Sequence, residues 1–277
     1  MRIDIITLFP GMFAGVFRES ILARAVAQGQ VKIVLHNLRE HGLGRHRMVD
    51  DYPYGGGPGM VLKPEPLFSA AEAALKEMSE ELGAEARIPV ILLTPQGRPF
   101  SHRVAQELSH LPGFLLLCGH YEGVDERVRQ HLATDELSIG DYVLTGGEPA
   151  AMVVVDAVVR LLPEVVGAAA GEDSFVAGIL EHPQYTRPTI FQGWEVPSEL
   201  LSGNHEEVAK WRRLQSLRRT WERRPDLLSL AQLTSNERRL IERWQAEAKR
   251  ARQPGTGGSG SPQFPPGQEL GQPSQEQ

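Results

Sequence analysis

The sequence predicts an α/β protein, and three observations carry that expectation. Apolar, β-branched runs at residues 3–8, 31–35, 90–93 and 114–118 alternate with helical patterns at 12–27, 65–82 and 101–109. The run Phe114-Leu115-Leu116-Leu117-Cys118 lacks polar alternation, as a strand buried on both faces of a parallel sheet does. With 277 residues, 41% apolar and 23% charged, the chain falls in the globular range and is long enough to bury one or two cores.

The first strand opens at Met1-Arg2-Ile3-Asp4, with an acidic residue where a secretion signal needs an apolar run. It leads into Phe9-Pro10-Gly11-Met12 rather than Gly-x-Gly-x-x-Gly, which argues against a Rossmann dinucleotide site. Pro149 suits the first turn of a helix running to Leu161. Beyond Leu162 the pattern weakens, and Gly167-Ala168-Ala169-Ala170-Gly171 offers no bulky anchor. Helical patterns return at 204–220 and 234–250, broken near Arg224-Pro225. Trp211, Leu214, Leu217 and Trp221 follow a 3–4–3 spacing, which predicts a core stripe. The last 25 residues hold six Gly and five Pro and too little apolar surface to offset the entropy of ordering. The expected organisation is an α/β domain over 1–165, a linker over 166–180, a helical domain over 181–252 and a disordered tail over 253–277.

A single cysteine, Cys118, excludes an intramolecular disulfide framework and a Cys-rich zinc site. No run approaches the roughly 18 apolar residues of a membrane span, so a soluble cytoplasmic protein without a membrane partner is expected. The net charge of −6 is unevenly spread. Residues 205–252 carry 13 basic and 7 acidic side chains, which leaves +6 there and −12 elsewhere. A basic helical segment on an acidic body suggests an anionic partner such as nucleic acid, although a solvated helix pair has the same signature.

In an open α/β sheet, ligands bind beyond the C-terminal ends of the strands, which directs attention to four loops. Residues 49–60 contain Pro53-Tyr54-Gly55-Gly56-Gly57-Pro58-Gly59, flanked by Arg45, Arg47, Asp50 and Asp51. Such a backbone can approach a ligand closely, and it lacks the Gly-Lys-Ser/Thr ending of a Walker loop. Thr94-Pro95-Gln96-Gly97-Arg98 follows one strand, and Gly119-His120-Tyr121-Glu122-Gly123 follows another. Glu122 beside Tyr121 can accept from the donor edge of a guanine while the ring meets its face. The fourth loop spans 138–149 and contains a paired glycine turn ahead of Pro149.

The segments 49–60, 93–98, 118–128, 137–148, 172–175, 182–188 and 200–206 stand in an order and spacing that closely resembles the bacterial tRNA (guanine-N1)-methyltransferases, the TrmD family of the SPOUT superfamily. The resemblance spans about 1–228. It implies a SPOUT-type parallel sheet with a deep C-terminal trefoil knot, a small helical C-terminal domain, and a homodimer whose sites draw on both chains. It implies transfer of a methyl group from S-adenosylmethionine to N1 of guanosine 37 in tRNAs with a preceding G, with magnesium left open as an accessory. Asp173 then matches the general base and Arg160 the stabiliser of O6; taken alone, the first could cap a helix and the second solvate its face. Thr94, Pro95, Gln96, Gly97, Gly119, Ile139, Gly140, Asp141, Tyr142, Val143, Leu144, Gly146, Gly147 and Pro149 match the donor site. Tyr121, Glu122, Asp50, Ser174, His205, Lys210, Arg212, Arg213, Arg218 and Arg219 are implied on the RNA side. No residue is implied as a metal ligand. A SPOUT relative acting on another atom and a non-catalytic RNA-binding module are the competing readings.

Overall fold

The computed structural model describes residues 1–166, 173–229 and 231–252. The expected linker residues 167–171 and the tail 253–277 lie outside that range. Contacts divide the chain into two compact units, Met1–Ala177 and Gly178–Gln277.

In the first unit the elements are β1 (Arg2–Thr7), α1 (Ser20–Ala27), β2 (Lys32–Asn37), β3 (Asp50–Asp51), β4 (Val61–Leu62), α2 (Pro64–Leu82), β5 (Val90–Pro99), α3 (His102–Ser109), β6 (Gly113–Cys118), α4 (Glu126–His131), β7 (Asp135–Ser138) and α5 (Glu148–Val159). Five strands form one parallel sheet in the order β2-β1-β6-β5-β7. Period-2 alternation sends Ile3, Ile5, Ile91, Leu93, Phe114 and Leu116 into one core, shared with α1, α3 and α5. Ile6, Val90, Leu92, Leu115 and Leu117 enter the other, against α2 and Val128 of α4. Both faces of β6 are therefore dry, which is why its sequence shows no polar alternation.

Residues 12–27 do not form the single helix that their periodicity predicts. Two 3-10 turns, Pro10–Phe13 and Val16–Arg18, precede α1. Gly11 and Gly15 weaken helix propagation, and Ser20 takes a left-handed φ of 54° that breaks the ladder.

One polar cluster is built into the sheet. Asp4 is fully buried; Arg2 Nε donates to its Oδ1 at 2.8 Å and His36 Nε2 lies 2.7 Å from Oδ2. Burial alone would raise the Asp4 carboxyl, but the hydrogen bonds from His36 and Arg2 hold it below its ordinary value.

The second unit contains the hairpin β8 (Ile190–Phe191) and β9 (Trp194–Glu195), then α6 (Ser198–Leu201), α7 (His205–Arg223) and α8 (Ser235–Arg252). The two-residue turn Gln192-Gly193 has φ of 52° and 85°, the positive pair a primed hairpin turn requires. The Asn204 side chain caps α7 by accepting from the Glu206 and Glu207 amides. Ile179, Leu217, Ala231 and Ile241 form the small core, with Trp221 and Trp244 packed against it. Leu214 corrects the stripe reading, being 43% exposed. Ser216 and Thr220 are buried in its place, because the Thr220 hydroxyl accepts from the Leu180 amide and donates to the Ser216 carbonyl.

Candidate active site

Residues 94–98, expected as a loop after a strand, instead lie within β5, whose pairing with β7 shifts register between Leu93 and Arg98. This irregular stretch and the loops after β6 and β7 converge on a cavity of about 340 Å³. The chain leaving β7, at the sheet edge, returns past β5 to the end of β6. There the Gly147 amide donates to the Gly119 carbonyl at 2.8 Å, and His120 bridges Gly146 in antiparallel fashion. A Cβ on Gly147 would stand 2.8 Å from Cys118 Cα and 3.0 Å from Gly119 N, so only glycine permits this approach. Ser138 fixes the turn from below, donating to the Gly140 carbonyl and accepting from its amide.

Of the residues expected around the methyl donor, Thr94, Pro95, Gln96, Gly119, Ile139, Gly140, Tyr142, Val143, Leu144, Gly146 and Gly147 line this cavity. Gly97, Asp141 and Pro149 do not line it. At Gly97 the backbone instead packs on Glu136, leaving no room for a Cβ. Leu137, Ser138 and Ala150 line the cavity as well; their only signal in the sequence is position at a strand end and in the first helical turn. Apolar Leu137, Ile139, Leu144 and Ala150 beside a glycine-bared backbone fit a nucleoside-bearing ligand, whose flat base wants apolar walls and whose sugar and base edges want backbone partners.

Tyr121 and Glu122 lie on the rim of the same cavity. Tyr121 holds a left-handed φ of 59° and stacks on His120 with ring centroids 5.0 Å apart. Burial, then the nearby Asp50 carboxylate, push the Tyr121 hydroxyl above its ordinary value. Asp50 therefore meets Tyr121 from the glycine-rich loop. That loop also seats Glu122, whose amide donates to the Met60 carbonyl at 3.0 Å and whose side chain occupies the space a Cβ on Gly59 would take.

Deeper in, Thr7 donates to Glu148 Oε1 at 2.7 Å across 141 positions of sequence, a pairing no local pattern reveals. Glu148 is 1% exposed. Burial, with Glu148 nearby, pushes the Cys118 thiol well up, so the lone cysteine is a core group rather than a nucleophile.

Arg160 and Asp173 are brought together, but not into the cavity. Arg160 Nη2 donates to Asp173 Oδ2 at 2.5 Å, and neither residue lines the pocket. Ser174 follows Asp173 in the same turn. His102, at the start of α3, feels both charges: burial lowers its ring, Asp173 raises it, Arg160 lowers it, and the net is downward.

A family model described as "tRNA (Guanine-1)-methyltransferase TrmD" matches residues 1–230. The chain belongs to this family. Relatives similar to it include the tRNA (guanine-N(1)-)-methyltransferase of Moorella thermoacetica, 56% identical over 244 residues, which cover 87% of this chain and 96% of that protein. The enzymes of the same name from Dehalococcoides mccartyi and Anoxybacillus flavithermus are 54% and 55% identical, each over 98% of their own length and 89% and 88% of this chain.

In this member of the tRNA (guanine-1)-methyltransferase family, the cations expected to meet RNA lie in the second unit. His205 opens α7, and Lys210, Arg212, Arg213, Arg218 and Arg219 follow along it. Lys210 pairs with Glu206, Arg213 with Glu237 and Arg218 with Glu222. Arg218 also lies 4.8 Å from the Trp221 ring centroid and 5.1 Å from that of Trp244. Among the described residues no group of three or more His, Cys, Asp or Glu side chains is placed to hold a metal ion, and no helix is long and apolar enough to cross a membrane.

Proposed function

We propose that the chain transfers a methyl group from S-adenosylmethionine to N1 of guanosine 37 in tRNAs in which another G precedes it. It does so in the cytoplasm, as a homodimer. The observation that carries this reading is the glycine-bared cavity between the middle of β5 and the ends of β6 and β7, rimmed by Tyr121 and Glu122, in a member of this family. S-adenosylmethionine, when bound, supplies a methyl group already activated on a sulfonium. Gly119, Gly146 and Gly147 would present backbone to its nucleoside, with Leu137, Ile139 and Leu144 against its base.

The chain's own task lies with the nucleophile. The N1 hydrogen of guanine is retained at neutral pH, and the ring nitrogen becomes nucleophilic only as that proton leaves. Asp173 takes it on a carboxylate oxygen. Arg160 donates to O6, where the negative charge of the deprotonated ring collects. Glu122 accepts from the donor edge and Tyr121 faces the ring, which together aim N1. Because Arg160 and Asp173 stand outside the lining of their own chain's cavity, the reading assigns them to the cavity of the partner subunit. The path from β7 back past β5 to Gly119 supports the trefoil knot, which belongs to this proposal.

Incubation with labelled donor and a transcript carrying guanosines at 36 and 37, followed by digestion to nucleosides, tests the reading. It predicts label in 1-methylguanosine alone. Label in a 2′-O-methyl nucleoside or another base would replace this assignment with a different SPOUT activity.

A further inference from the structure

The second unit contains a cavity that the proposed reaction leaves unused. It measures about 340 Å³, within the roughly 300–1,000 Å³ typical of sites that enclose small ligands. His182 lines it and is 7% exposed; its Nε2 is buried and has no hydrogen-bond partner among the described residues. Its Nδ1 lies 3.1 Å from the Pro183 carbonyl oxygen, which only accepts. In the neutral ring the hydrogen therefore sits on Nδ1, and Nε2 offers a buried lone pair to an incoming N–H. An unmet acceptor of this kind is costly, and a donor brought by a ligand removes the cost.

Two further groups define what carries that donor. Tyr185 lines the cavity, is 48% exposed and is braced edge-on by Trp211 at 6.3 Å, so its ring is held as a platform. Arg187 also lines the cavity, is exposed and forms no ion pair among the described residues. Arg212, from the basic helix α7, completes the wall. A flat aromatic face, a buried acceptor and a guanidinium together match a base, its amino edge and its phosphate. An inorganic anion would use only the last of these. Single-stranded RNA loops present such splayed bases to aromatic side chains.

We propose that this cavity binds one unstacked nucleotide of the tRNA other than the methylated guanosine. Its amino edge meets His182 Nε2, its face lies on Tyr185 and its phosphate meets Arg187. This inference builds on the reading of the chain as a tRNA methyltransferase and adds a second base-binding point.

The test uses the full chain and the transcript described above. Tyr185→Ala removes a half-exposed side chain, and His182→Phe removes the acceptor while keeping a ring. Each is expected to weaken tRNA binding by about tenfold, within the range of losing one stacked base, with the deficit in KM rather than in the saturated rate. A photoreactive 4-thiouridine or 6-thioguanosine placed across the anticodon loop is expected to cross-link to the peptide containing Tyr185. Affinities within twofold of the unmodified chain, or cross-links absent from that peptide, overturn the pocket while leaving the methylation reading intact. Weakened binding and cross-linking without any methyl transfer would uphold the pocket and discard that reading. Absence of tRNA binding by the unmodified chain would discard both.

Discussion

Arg160 and Asp173 are held to each other, Nη2 to Oδ2 at 2.5 Å, with side chains 43% and 28% exposed. A pair this open to water contributes no more than about 1 kcal/mol, so guanine can displace it cheaply. The ion pair also holds the carboxylate beside the cation proposed to act on the same base. In the proposed reaction O6 draws the guanidinium away, and the carboxylate is released to accept the N1 proton.

The assignment of this pair to a neighbouring cavity is tested by mixing two inactive variants. Asp173→Asn removes the proposed base and Gly147→Val blocks the cavity. If the site is shared between subunits, a mixed dimer regains one complete site, and an equimolar mixture recovers roughly a quarter of the unmodified activity. If base and cavity act within one chain, the mixture stays inactive.

Gly147→Val alone tests the donor site. The side chain would press into Cys118 and Gly119, where a Cβ already stands 2.8 Å from backbone, and the loop must move. Calorimetry with S-adenosylhomocysteine is expected to show affinity lowered by about tenfold or more, given the usual cost of overpacking. Unaltered affinity would place the donor elsewhere.

The buried Asp4 cluster predicts acid sensitivity. Its folded-state carboxyl lies below the ordinary 3.8, so its contribution is complete above that value and fades as pH falls through the folded value. Asp4→Asn is expected to cost about 3 kcal/mol at neutral pH, the lower end for breaking a buried pair, because Arg2 keeps its 2.7 Å bond to Glu81. Urea unfolding should also show a shallower loss of stability below pH 4 in the variant. An identical acid slope would mean that Asp4 does not carry it.

The basic face of α7 predicts salt dependence. Arg218→Ala with Arg219→Ala is expected to weaken tRNA binding and to reduce the slope of log K against log salt by about 0.7–0.9 for each phosphate that is no longer neutralised. Filter binding across a salt series measures it. An unchanged slope would move the phosphate footprint away from these two residues.

Much of this is legible in the chain. The run 114–118 announces a strand dry on both faces, and the glycines after β6 and β7 announce a close-approach loop, because both signals are local. What escapes is non-local. The edge strand β7 opens with Asp135 and Glu136, an unpromising start that becomes stable through Arg98 and Arg129, which pair with them. Thr7 meets Glu148, and Tyr121 meets Asp50, only because the sheet order brings distant segments together. Leu214 keeps the apolar period yet faces outward, since the backbone at Leu180 claims Thr220 instead. The hairpin at 190–195 hides behind a Gln-Gly turn in a unit whose dominant sequence signal is helical.

The most direct measurement is single-turnover methylation of a transcript bearing guanosines at 36 and 37 by Asp173→Asn at saturating donor. The account predicts a rate lowered by at least about a hundredfold, the usual scale for a general base, with S-adenosylhomocysteine affinity unchanged. A rate equal to that of the unmodified chain would contradict it.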